Sequence, residues 1–337
     1  MARNGLDALL ASKEMIVVCG SGGTGKTTVS AALGAIAAQR LGARVLVLTV
    51  DPARRLATAL GLSALGNAEV LVDPALLGGD GDGELWVAML DTKAGWDELI
   101  RRHAPDPALR DKVLANPLYQ NITGRFIHSH DYLAMERLHE VHASGRYDLV
   151  IIDTPPSRNA LDLLDAPGRM KEFFGSRLLR WLTVPYRSRL FTVASKPFYQ
   201  VADRVLGSRF LQDIAEFFVL FQTMEQGFVA RANDVERLLV DPRTAFVVVS
   251  TLEAAPAYEA AFLARELQRR RMQLGAIVLN RTLPAFLRSR DVAAAARRLR
   301  NVADDHAAVD EVARIAEADT DDVHTVLVEV SERFRDV

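Results

Sequence analysis

Ten residues, Gly20-Ser21-Gly22-Gly23-Thr24-Gly25-Lys26-Thr27-Thr28-Val29, restrict this chain more than any other segment, because they join two patterns that few local folds accommodate. An apolar run at 15–19 precedes them and a periodic apolar stretch at 29–38 follows, so the order reads strand, glycine loop, helix. The spacing matches G-x-x-x-x-G-K-[ST]. In that motif glycines let successive backbone N–H groups turn inward around a phosphate, and the helix N-terminus adds partial positive charge. Gly20 to Thr28 are thus the expected phosphate cradle, with Lys26 reaching the β- and γ-phosphates of a nucleoside triphosphate and Thr27 holding Mg²⁺.

Apolar runs rich in β-branched residues recur at 15–19, 44–50, 85–90, 147–153, 245–250 and 275–280, with helical periodicity at 28–40, 132–144 and 257–271. Their hydrophobicity is continuous rather than alternating, so both faces of each strand must be covered, as in a parallel, doubly wound α/β sheet. Right-handed crossovers gather the strand C-termini along one edge, where a ligand is expected. Between residues 165 and 241 long Phe-rich helical patterns replace the strand signals, which reads as a helical insertion. The expected division is 1–165 for the first part of the sheet domain, 166–241 for the insertion and 242–337 for the second part with a charged helical tail. Residues 73–84, with four glycines among aspartates, read as a flexible surface loop, and 325–330 as a short-strand candidate.

A net charge of −2 with 25% charged residues carries no overall bias toward nucleic acid, and none is expected as a partner. Arg3, Asp7 and Lys13 interrupt the first residues, and no window of about 18 apolar residues occurs, so a cytoplasmic protein is expected, at most peripheral to a membrane. Cys19 is the only cysteine, which rules out a disulfide within the chain and any Cys-x-x-Cys metal motif; a buried thiol is the expected role.

A phosphate loop needs a strand-end carboxylate to hold the magnesium ion, and the apolar run Leu149-Val150-Ile151-Ile152 ends in Asp153. Thr154-Pro155-Pro156-Ser157 continues it as a stiff segment placed to sense the γ-phosphate. Asp51 ends the run at 44–50 on the same edge and is the candidate to position or deprotonate the attacking water, with Arg54 or Arg55 as a charge-stabilising candidate. Lys26, Asp51 and Asp153 are the expected catalytic residues, and Thr27 and Asp153 the metal ligands.

The segments GSGGTGKTT, TVDPARRLATALG and IIDTPPSRNALDLLDAP, in this order, resemble the arsenical-pump-driving and tail-anchored-protein-targeting ATPases, most closely their actinobacterial ArsA-like anion-transporting branch. The resemblance spans roughly residues 15–284 and implies a P-loop NTPase of the deviant Walker A group. It further implies ATP and Mg²⁺ as ligands, Asp51 in switch I, Asp153 in switch II, and a dimer with nucleotides near its interface. It also implies that Asn280 reads adenine, which suits an amide that both donates and accepts, and that Glu253 faces a partner's nucleotide, or else solvent. Three departures stand out. Ser21 replaces the lysine with which the family reaches across the dimer, so the expected enzyme is slow alone. The alternative is a weakly hydrolysing regulatory subunit paired with a lysine-bearing paralogue. The family's metal-binding cysteines are missing, leaving His128, His130, His139 and His142 as a weak substitute cluster or an ordinary helix surface. No terminal apolar strand follows Pro284.

Residues 169–209 carry nine Lys/Arg against two acidic residues, with aromatics interleaved, and Phe217, Phe218, Phe221 and Phe228 follow. The resemblance implies that such an insertion holds a membrane-protein client helix; packing of the aromatics into the protein is the alternative. A partition or septum-site ATPase is a third reading, disfavoured by the insertion.

Overall fold

The computed structural model describes residues 5–50, 55–60, 68–77, 81–90, 92–104, 106–116, 119–120, 129–155, 164–169, 171–172, 217–218, 223, 225–282 and 290–334. Among the described residues seven strands form one sheet: β1 Met15–Gly20, β2 Arg44–Thr49, β3 Val70–Leu71, β4 Glu84–Met89, β5 Leu149–Asp153, β6 Thr244–Ser250 and β7 Leu274–Leu279. Their spatial order is β3-β4-β2-β5-β1-β6-β7, and every pairing is parallel except the short β3 against β4. The six expected runs are the six parallel strands. The antiparallel β3 has too few residues to leave a periodic signal.

Helices cover both faces. On one side α1 Gly5–Ser12 and α2 Lys26–Leu41 bury Ile16, Val18, Val45, Val47 and Ile151; on the other, Met15, Val17, Leu46, Leu48, Val150 and Ile152 point into a second core. Alternate residues of one strand therefore serve two cores, which is why β1, β5 and β6 are buried at every position. Helix α2 lies close to the sheet because Gly34 has no side chain: a Cβ there would come within 2.7 Å of Val47 and 2.9 Å of Leu85. Gly42, at φ 63°, ends α2 and returns its N–H to the Ala37 carbonyl.

Among the remaining helices of the sheet-bearing part are α3 Arg55–Ala59, α4 Pro74–Leu77, α5 Thr92–His103, α6 Pro107–Ala115, α7 Ser129–Ala143, α8 Glu225–Val240 and α9 Ala254–Arg269. The described part of 73–84 lies at the surface as expected, but it holds α4, and Gly83 is pressed against the main chain of α2, where a Cβ would meet the Ala38 carbonyl at 2.2 Å. One reading of the sequence needs correction. Residues 325–330 are helical, not a strand, and lie within a helix that runs Thr320–Phe334. Its β-branched content suggested extension, but the less exposed positions are Val323, His324, Leu327, Val328, Val330 and Ser331, a helical spacing, and the Asp319 carboxylate accepts from the Asp321 N–H at 2.9 Å at its start.

The chain divides into two compact units, 1–280 and 281–337. The second consists of α10 Arg290–Ala303, α11 His306–Ala316 and α12 Thr320–Phe334, packed on one another. Asp305 caps α11 through the N–H groups of Ala307 and Ala308.

Of the proposed insertion, residues 173–216 lie outside the described residues. The described aromatics nearby are interior: Phe228 is fully buried against Trp96, and Phe217 packs on Tyr119 and Phe218. Lys171 reaches Glu236 at 2.6 Å and Asn233 at 3.2 Å rather than standing on an open basic rim. Among the described residues no helix is long and apolar enough to cross a membrane.

Candidate active site

The sheet order brings the three informative strands together, with β1 and β2 both flanking β5. Val18 of β1 and Thr49 of β2 are both in register with Asp153 of β5, so the end of one strand is held between two others. Just beyond, Thr154 donates both its N–H and its hydroxyl to the Val18 carbonyl, at 3.2 and 2.8 Å, and fixes the exit from β5.

Asp153 is fully buried. One of its oxygens, Oδ2, accepts the hydroxyl of Thr27 at 2.8 Å and that of Thr49 at 2.9 Å. Thr27 comes from the first turn of α2, so this carboxylate joins loop, helix and two strands at one point. A threonine hydroxyl and a carboxylate are the hard oxygen donors that Mg²⁺ prefers, and Thr27 and Asp153 are the residues that would hold it. Thr49 was given no role from the sequence, although it opens the segment TVDPARRLATALG two residues before Asp51.

The loop leaves β1 through Gly20, whose φ is 151° and whose missing side chain is required by the Val249 carbonyl, 2.1 Å from where a Cβ would stand. Gly23 and Gly25 have φ of 79° and 92°, the left-handed region that favours glycine. Gly25 begins α2, and no side chain caps the helix there. Gly22, Gly23 and Thr28 are exposed, whereas Thr24 is buried. Lys26 is 8% exposed and folds back so that its Nζ donates to the Ser21 carbonyl at 3.0 Å; the Thr24 hydroxyl donates to the same oxygen at 2.9 Å. A triphosphate would compete for that lysine.

Cys19 lies one residue before the loop. Burial pushes its thiol up to about 12, with the nearby Lys26 charge pulling the other way, so it is a neutral core residue. Asn280, just past β7, is tied by its backbone N–H to the Ser250 carbonyl and by its side-chain Nδ2 to the Thr24 carbonyl, each at 2.8 Å. The tertiary fold thus places this residue on the phosphate loop itself. Glu253 is exposed at the start of α9 and its side chain caps nothing. Asp51, Arg54 and the segment 156–163 lie outside the described residues, and of Arg55 only the backbone is described. His142 pairs with Glu14 at 3.0 Å and His139 faces Asp234 at 3.7 Å, both ordinary surface pairings; His128 is outside the described residues.

Comparison with known proteins gives the same architecture a wider setting. A family model described as anion-transporting ATPase matches residues 13–312. An uncharacterised protein of Streptomyces coelicolor is 30% identical over 279 residues, covering 80% of this chain and 62% of its own length. This chain therefore spans less than two thirds of that relative. An ATPase ASNA1 homologue of Paramecium tetraurelia is 25% identical over 278 residues, covering 81% of this chain and 77% of its own. The ATPase BagA of Mycobacterium tuberculosis is 24% identical over 312 residues, covering 87% and 72%.

Proposed function

The chain belongs to the anion-transporting ATPase family, and on that premise we propose that it binds ATP with magnesium at the strand-edge site and hydrolyses it. The observation that carries this reading is the convergence of Thr27, Thr49 and the buried Asp153 beneath the glycine loop. Phosphoryl transfer asks mainly for positioning and charge stabilisation. The loop amides and Lys26 would meet the β- and γ-phosphates, and Thr27 and Asp153 would hold the metal, which neutralises charge on the phosphate oxygens. Asp51 keeps the role of positioning the attacking water. Replacing Lys26 with Ala should lower hydrolysis by about 10² to 10³; unchanged turnover in the variant would retire the assignment.

The finer reading is a dimer whose opening and closing follow the nucleotide. Ser21 stands where the resemblance places a lysine that reaches the partner's phosphates, and a cation supplied across an interface contributes about 10³ to 10⁵ in related reactions. We therefore infer slow turnover for the chain alone and a rate gain when it is mixed with a lysine-bearing paralogue. Turnover of the isolated chain within the usual enzymatic range of about 1 to 10³ per second would remove the need for that partner. A membrane-protein client is the further proposal for the insertion at 166–241 with its basic, aromatic run at 169–209; binding to acidic liposomes that survives charge reversal of Arg177, Arg180 and Arg187 would count against it.

A further inference from the structure

We propose that Asn280 is a positioning residue for the phosphate loop, acting through the Thr24 carbonyl to aim the Gly25 amide at the phosphates. The inference rests on the reading of the loop as a triphosphate cradle and deepens it.

Three observations meet here. The Asn280 Nδ2 donates to the Thr24 carbonyl at 2.8 Å across a separation of 256 residues, so only the tertiary fold makes the contact. The same nitrogen lies 2.3 Å from where a Cβ on Gly25 would stand, with the amide carbon farther off at 3.6 Å, so the NH₂ end of the amide is pressed against Gly25 and leaves no room for a side chain there. Asn280 is itself held in place: its N–H donates to the Ser250 carbonyl at 2.8 Å, and the next residue, Arg281, turns sharply out of the strand at φ 55°. The amide is thus presented by the end of β7 rather than by a free loop.

Geometry supplies the consequence. The described residues contain no cis peptide bond, and in a trans peptide the carbonyl of one residue and the N–H of the next point in opposite directions. Anchoring the Thr24 carbonyl toward Asn280 directs the Gly25 N–H away from it. Gly25 is the left-handed residue that begins α2, where no side chain competes for the first amides. A free glycine peptide can flip at little steric cost. Asn280 removes that freedom before a ligand arrives, which lowers the ordering cost of binding. A residue acting on the loop should matter for the phosphates whatever base is attached.

The test compares MgATP with magnesium tripolyphosphate, which has no base, each competing with a fluorescent ATP analogue for the full chain. Wild type should bind both. Asn280→Ala should weaken both by about tenfold, the worth of one well-placed hydrogen bond, with their ratio unchanged. Asn280→Ser, which keeps a small polar side chain too short to reach Thr24, should behave like Asn280→Ala with an unaltered circular dichroism spectrum. Loss of MgATP binding with tripolyphosphate binding intact would make Asn280 a base reader and overturn the proposal, as would wild-type binding of both ligands. Failure of both variants to fold would also overturn it, by making the residue structural. Folded wild type that binds neither ligand would instead retire the cradle reading.

Discussion

Asp153 accepts two threonine hydroxyls on one oxygen, so removing either should be felt at the metal first. Thr49→Val keeps the shape of a fully buried side chain and deletes one of these bonds. Partners of this outer kind typically change metal affinity by about 10- to 100-fold when removed. The Mg²⁺ concentration that half-saturates hydrolysis should rise about tenfold, while the maximal rate at high Mg²⁺ changes less. Cys19 offers a second expectation at this scale. Its thiol is held near 12 by burial against an ordinary 9.0, despite the opposing pull of Lys26. A group whose folded pKa is raised contributes its full stability below the unfolded value and loses it as pH climbs toward the folded one. The wild type should therefore lose stability between about pH 9 and 12, by at most about 1.4 kcal/mol per pH unit from this group. Cys19→Ala should flatten that decline, measured as the difference in urea midpoints between the two proteins across the range.

At the level of elements, α7 and α8 are joined by the ion pair of Glu136 and Arg231. The Arg231 Nε donates to both oxygens of Glu136, at 2.8 and 2.7 Å, with both side chains largely buried and the guanidinium 5.1 Å from the Phe228 ring centre. The pair edges a cavity of about 820 Å³ between α5, α7 and α8 whose other arginines also face carboxylates: Arg101 lies 3.9 Å from Asp97, Arg102 reaches Glu98 and Glu140, and Arg137 reaches Glu69 and Glu140. Breaking one side of a buried pair leaves the other charge uncompensated, at about 3 to 5 kcal/mol. Glu136→Ala should cost that much in chemical denaturation, whereas the paired replacement Glu136→Leu with Arg231→Met should recover most of it. Recovery only partial would show that the pair contributes beyond filling space.

For the whole molecule, a ligand that binds only the folded chain stabilises it by mass action, about 2.7 kcal/mol at one hundred times its dissociation constant. MgATP should raise the thermal midpoint accordingly, and Lys26→Ala should abolish most of the rise without lowering the midpoint of the ligand-free protein to a similar extent. Calorimetry of both proteins with and without MgATP checks this. No rise for the wild type would separate the fold, which the strand register secures, from the nucleotide reading.

The phosphate loop, the parallel strands and the acid that ends β5 were legible from residue order, because each depends on local spacing and on the continuous hydrophobicity of strands covered on both faces. Residues 325–330 misled for the complementary reason: β-branched composition is a local preference, and packing at helical spacing within the 281–337 unit overrode it. Composition likewise left the aromatics from Phe217 to Phe228 open between a client groove and packing into the protein; Phe217 and Phe228 are packed in the core. Which strands lie side by side cannot be read from a linear chain: among the described residues β5 pairs with β1 and β2, and β1 with β6, across more than a hundred residues each. Only the tertiary structure put Thr49 beside Asp153 and Asn280 on the Thr24 carbonyl. Sequence determined which groups are available to grip a phosphate; sheet order and register decided which of them meet.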